Sequence, residues 1–121
     1  MQALVVDDDP ICRRVAEATL VKLGFRVHTA AGVDEACARH AALPDLRLAL
    51  VDWHLGDTTG LAVIRALRQR IRTHRTCICL FTTETGRTVW NDAIAAGANA
   101  VLKKPLDEAD RWYELARLGA V

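Results

Sequence analysis

The chain has 121 residues, 51% of them apolar, and its 16 basic and 15 acidic side chains leave a net charge of +1. That length suits one domain with a proper core, residues 1–121, and the near-neutral balance excludes the broad basic field of a non-specific nucleic-acid binder. No apolar stretch approaches the length that crosses a bilayer, and the chain enters its first strand without a signal peptide's charged start and apolar h-region. The expected location is therefore the cytoplasm, with no membrane contact and no direct nucleic-acid contact.

The first strand is predicted over residues 2–7, and a helix follows over 10–23. Asp9 suits the N-cap of that helix, Pro10 its first position and Gly24 its stop. Its apolar stripe is Cys12, Ala16, Thr19, Leu20 and Leu23. The second strand, Phe25 to Thr29, is short and half polar, as an edge strand is. A second helix is predicted from Val33 to Ala42, and Pro44 separates it from the third strand, Leu46–Val51. The third helix opens after Thr58-Thr59-Gly60 and shows Leu61, Ile64, Leu67 and Ile71 on one face. A fourth strand, Cys77–Phe81, a helix over 88–96 stopped by Gly97, a fifth strand over 100–103 and a last helix over 107–118 complete the order. Strict alternation of strand and helix implies an α/β fold, a five-stranded parallel sheet with helices on both faces. The most apolar strands belong in the middle. That gives the flavodoxin-like order 2-1-3-4-5 and a crevice between strands one and three.

The four cysteines form no C-x-x-C pair or spaced metal set and read as buried, reduced thiols. The histidines at 28, 40, 54 and 74 are as scattered, which argues against zinc. The polar residues at the strand ends are more telling. Asp7-Asp8 closes Ala3-Leu4-Val5-Val6, Asp52 closes Leu46–Val51, Thr82 follows Cys77–Phe81, and Lys104 follows Ala100–Lys103. In a parallel sheet these carboxyl ends form one rim. Carboxylates gathered there repel one another unless a hard cation joins them, and oxygen donors suit Mg²⁺. The set reads as a metal-dependent phosphoryl site.

These segments resemble the receiver domain of two-component response regulators over nearly the whole chain. Val5-Val6-Asp7-Asp8 is similar to the acidic pair that closes the family's first strand, and Val51-Asp52-Trp53-His54-Leu55 to its phosphoacceptor segment. Phe81-Thr82 matches the strand-four hydroxyl, and Lys103-Lys104-Pro105-Leu106 the Lys-Pro signature. The resemblance implies that Asp52 takes a phosphoryl group from a histidine kinase or histidine phosphotransfer protein and so switches contacts with a downstream protein. It implies that Asp8 binds Mg²⁺ directly and Asp7 mainly through water, with Asp52 and the backbone carbonyl of His54 as further ligands. Lys104 would pair with Asp52 and then with a phosphoryl oxygen, to which Thr82 would give its hydroxyl. Such a protein turns over no external substrate and promotes only its own phosphorylation and dephosphorylation.

Several positions depart from the family pattern. The strand-five switch position, usually aromatic and partner to Thr82 in the switch, is Val101, which has few rotamers. Gly56 stands where proline is common, Thr59 replaces an aspartate as the expected cap of the third helix, and Thr83 stands where a smaller residue is usual. His54, Thr83 and Glu84 flank the phosphoryl position and are expected to tune its lifetime. Trp112 is expected to dock the last helix, and Trp90 suits either an interior or an outward position. Two rival readings stand beside the receiver. One is a receiver-shaped interaction module that works without phosphorylation. The other resembles the haloacid dehalogenase phosphatases, with Asp7-Asp8-Asp9 as a D-x-D motif, although Asp52 has no place in it.

Overall fold

A computed structural model describes residues 1–43, 45–70, 75–83 and 86–104. The predicted last helix, with Pro105 and Trp112, and also Ile71 and Glu84, lie outside the described residues. The elements are β1 (Gln2–Val6), α1 (Pro10–Lys22), β2 (Arg26–Ala30), α2 (Val33–Ala41), β3 (Leu46–Asp52), β4 (His54–Leu55), β5 (Thr58–Thr59), α3 (Gly60–Arg68), β6 (Cys77–Thr82), α4 (Arg87–Ala96) and β7 (Ala100–Lys103).

Five strands form one sheet in the order β2-β1-β3-β6-β7, every pair parallel. Counted among themselves, they run 2-1-3-4-5. The central strands are buried on both faces, so β1, β3 and β6 are nearly continuous apolar runs, broken in β3 by the exposed Arg47. Alternate side chains still go to opposite sides. Leu4, Val6, Ala49, Val51, Ile78 and Leu80 pack with residues of α2, α3 and α4, while Ala3, Val5, Leu48, Leu50, Cys79 and Phe81 pack with Ala16 and Leu20 of α1. Helices thus cover both faces, and β2 is the half-exposed edge. No helix among the described residues is long and apolar enough to cross a membrane.

Local chemistry sets the boundaries. The Asp9 side chain accepts a hydrogen bond from the Ile11 amide at 2.9 Å, Pro10 opens α1, and Gly24 follows its end at φ +98°. β2 starts one residue later than predicted, because the Phe25 amide is still bonded to the Leu20 carbonyl at the helix end. In α3 the buried positions are Gly60, Val63, Ile64 and Leu67, with Leu61 half-buried. Thr59 occupies the N-cap position but makes no capping bond through its side chain. The short antiparallel hairpin of β4 and β5 was not expected, since two-residue strands carry no readable period. Cys77 and Cys79 are buried with their sulfurs 3.6 Å apart, whereas Cys12 and Cys37 are only half-buried, which corrects their assignment to the interior. Trp90 points outward on α4 and is 46% exposed.

Candidate phosphoryl-transfer site

The end of β1 delivers three consecutive aspartates to three uses. The Asp7 amide donates to the Ala30 carbonyl at 3.0 Å, which extends the β1–β2 ladder and keeps the side chain inward, only 2% exposed. Its Oδ1 accepts the Asp9 amide at 2.9 Å, and its backbone carbonyl accepts the Arg13 guanidinium at 2.8 Å. Asp8 is exposed, and its Oδ2 accepts the Gly56 amide at 2.8 Å from across the crevice. Asp9 caps α1 and also lies 3.4 Å from the Cys12 sulfur. That leaves Asp9 no part in a D-x-D motif.

Asp52 is the last residue of β3 and lies opposite Phe81 of β6. Its backbone is fixed by α3: the Gly60 amide donates to the Trp53 carbonyl at 2.7 Å, and a Cβ on Gly60 would collide with the Asp52 carbonyl oxygen. Sequence reasoning missed this role of Gly60. Its signal was present, since a glycine at a helix start beside a candidate nucleophile marks close backbone approach.

The last two strand ends bring the cation and the hydroxyl. Thr82 is buried and pairs with Lys103, and the Lys104 amide donates to the Thr82 carbonyl at 2.9 Å, one step beyond β7. That register returns the Lys104 side chain over the rim. Its Nζ lies 2.9 Å from Asp7 Oδ2, 3.2 Å from Asp52 Oδ1 and 5.3 Å from the centre of the Phe81 ring. The expected partner was Asp52; the shorter contact is to Asp7, the more deeply buried acid.

The electrostatics follow from one ammonium serving two carboxylates. Burial works against the charge on Lys104, but its hydrogen bond to Asp7 and the charges of Asp52 and Asp7 outweigh it and hold its pKa above the ordinary value. For Asp52, burial and then the charge of Asp7 push the carboxyl upward, against the pull of Lys104. One ammonium is thus shared by two carboxylates, at 2.9 Å from Asp7 and 3.2 Å from Asp52. Oxygens of Asp7, Asp8 and Asp52 all lie within 4.8 Å of one another. A donor set made only of carboxylate oxygens fits Mg²⁺.

His54 is exposed at the start of the hairpin, next but one to Asp52. Thr83 is exposed and lines an apolar groove with Ile11, Cys12, Val15, Phe81 and Lys104. Val101 lies opposite Leu80 in β7 and packs, half-buried, on the core beneath α4. Glu84 lies outside the described residues.

The chain is similar to known proteins in sequence and in fold. The sequence model of the family described as the response regulator receiver domain matches residues 3–113. The chemotaxis protein CheY1 of Helicobacter pylori is 33% identical over 107 residues, which cover 87% of this chain and 86% of that protein. The photosynthetic apparatus regulatory protein RegA of Cereibacter sphaeroides is 36% identical over 119 residues, 96% of this chain and 61% of the relative. Among solved structures, the chemotaxis protein CheY4 of Vibrio cholerae superposes with a TM-score of 0.89 at 29% identity, covering 97% of each chain.

Proposed function

Because the chain belongs to the response regulator receiver family of two-component signalling, we propose that Asp52 is its phosphoacceptor and that a histidine kinase or histidine phosphotransfer protein is the donor. The observation that carries this reading is the convergence of Asp52, Asp7 and Lys104 from three different strand ends within 3.2 Å of one ammonium. Helix capping explains Asp9; it gives no reason for the other two acids to meet a lysine.

In this reading an Asp52 carboxylate oxygen attacks phosphorus, the bond from phosphorus to the donor nitrogen breaks, and an acyl phosphate forms. The work of the protein is positioning and charge compensation, since the transferring group spreads negative charge over its equatorial oxygens. Lys104 holds the Asp52 carboxylate in place and then has a phosphoryl oxygen to pair with. Thr82, at the adjoining strand end, offers its hydroxyl to the transferred group. Asp7, Asp8, Asp52 and the His54 carbonyl would hold Mg²⁺, Asp8 directly and Asp7 mainly through water. When bound, that ion supplies the positive charge that Lys104 divides between two acids. His54, Thr83 and Glu84 would tune the lifetime of the product.

The group added to Asp52 carries close to two negative charges, enough to reorganise the neighbouring loops and alter contacts with a downstream protein. With Val101 in the switch position, the aromatic swing is missing, and the signal would pass through the loop after Thr82 or through another surface. The protein would promote only its own phosphorylation and dephosphorylation, as one domain over residues 1–121, in the cytoplasm.

Intact-mass spectrometry after incubation with acetyl phosphate and Mg²⁺ tests this. The expected result is a single phosphoryl adduct on the native protein that requires Mg²⁺ and is absent from Asp52→Asn. An adduct that persists in Asp52→Asn would place the nucleophile elsewhere, and none on native protein that binds Mg²⁺ would favour a phosphorylation-independent module.

A further inference from the structure

The three carboxylates of the site are not held alike. Asp7 is fixed by Lys104 and by the Asp9 amide, and Asp52 by Lys104 and by its place in β3. Asp8 is exposed; among the described residues it has no ion pair, and its carboxylate has one hydrogen-bond donor, the amide of Gly56, 48 residues away. An exposed carboxylate without a partner samples several rotamers, and ordering it costs conformational entropy. A fixed hydrogen-bond donor beside Asp8 lowers that cost in this chain, where glycine stands in place of the proline common at position 56.

The hairpin explains why Gly56 has an amide to spare. β4 and β5 pair His54 with Thr59 and Leu55 with Thr58, which leaves Gly56-Asp57 as a two-residue turn. Gly56 has φ +65° and Asp57 is not in the positive region, the pattern of a hairpin turn with glycine at its first central position. The amide of that first turn residue does not pair across the hairpin. It points out of the turn, and here it meets Asp8 Oδ2 at 2.8 Å, a good hydrogen-bond length. The other end of the hairpin is pinned by the bond from the Gly60 amide to the Trp53 carbonyl. The turn is therefore a fixed arm reaching over the crevice from the β3 side to the β1 side.

We propose that Gly56 is a positioning residue for the cation site, its backbone amide holding the Asp8 carboxylate in the orientation that accepts Mg²⁺. This deepens the receiver reading and rests on it. A carboxylate offers about four lone-pair sites, so one amide bond leaves room for a metal on the same group. Groups that hydrogen-bond a ligating carboxylate from outside the coordination sphere typically change metal affinity by about 10–100-fold when removed.

The test pairs two substitutions. Gly56→Pro removes the N–H and cannot adopt positive φ. Gly56→Asn keeps the N–H, is among the residues that best tolerate this conformation, and has open space for its Cβ. Mg²⁺ titration calorimetry is expected to show binding weakened about 10–100-fold in Gly56→Pro and largely retained in Gly56→Asn. Equal affinity in all three, or equal loss in both variants, would overturn the role of the amide and leave the receiver reading standing. No Mg²⁺ binding by the native protein would overturn both. Amide hydrogen exchange on the native protein gives a readout that needs no variant. The Gly56 amide is expected to be protected without metal and to stay protected with it. Exchange at an open-loop rate in both conditions would also overturn the proposal.

Discussion

Asp7, Asp8 and Asp9 carry the same side chain in succession, and three neighbours give them three fates. Of these, only the capping role of Asp9 could be read locally, because Pro10 marks where the helix begins. That Asp7 turns inward to Lys104 while Asp8 turns outward to Gly56 depends on partners 97 and 48 residues away. The same holds for the preference of Lys104 for Asp7 over Asp52, which follows burial. The bond from the Ile11 amide, chiefly, holds the Asp9 carboxyl below its ordinary value. A carboxyl whose pKa is lower folded than unfolded adds stability above the unfolded pKa and loses it as pH falls through the folded one. Asp9→Ala is therefore expected to lower the melting temperature at neutral pH. The gap should close as pH drops below the ordinary carboxylate range, and thermal melts of both proteins across that range check it.

At the scale of elements, the order of the main helices and strands among the described residues was legible because each is long enough to show its period, and because caps and glycine stops mark the ends. The hairpin was not. His54-Leu55 and Thr58-Thr59 are too short for a pattern, and what makes them pair is the fixed approach of α3 to the end of β3. Gly60 carries that approach, with the Trp53 carbonyl on its amide and the Asp52 carbonyl where a Cβ would be. Gly60→Ala is expected to push α3 away from Asp52 at a cost of about 1–3 kcal/mol, the range for overpacking a tight interior. Urea unfolding checks this through a lower midpoint at unchanged slope. Arg68 closes the opposite end of α3. Its guanidinium reaches the Gly97 carbonyl at 2.8 Å and Asn99 at 2.7 Å, and Asn99 in turn holds the Ile78 amide at 2.8 Å. This clamp joins α3 to the turn before β7, and so helps set the register that carries Lys104 to the rim.

For the molecule as a whole, folding gathers negative charge at one end of the sheet. Three carboxylates converge, with Lys104 the ammonium placed between two of them. Lys104→Ala leaves the buried Asp7 without its cation. Breaking a buried pair costs about 3–5 kcal/mol, and the value expected here is near the low end, because the lysine side chain is still 14% exposed. A cation that binds only the folded chain adds stability by mass action, about 2.7 kcal/mol at a hundredfold excess over its Kd. Mg²⁺ is therefore expected to raise the melting temperature of the native protein, and to raise that of Lys104→Ala further. Thermal melts with and without Mg²⁺ check both; an equal shift in the two proteins would mean that Lys104 and the cation do not share the charge of these acids.

The sequence by itself determined the alternation of elements, the parallel sheet and its order, and the residue types at each strand end. Those follow from periodicity, caps and stops, all carried within a few residues of each other. The tertiary structure alone decided which acid Lys104 serves first, which aspartate faces inward, how close Gly60 lies to Asp52, and that a backbone amide at Gly56 reaches Asp8. Each of these is a distance between segments far apart in the chain. Such distances are set when strands pair and helices pack, because only then does burial rank otherwise identical carboxylates.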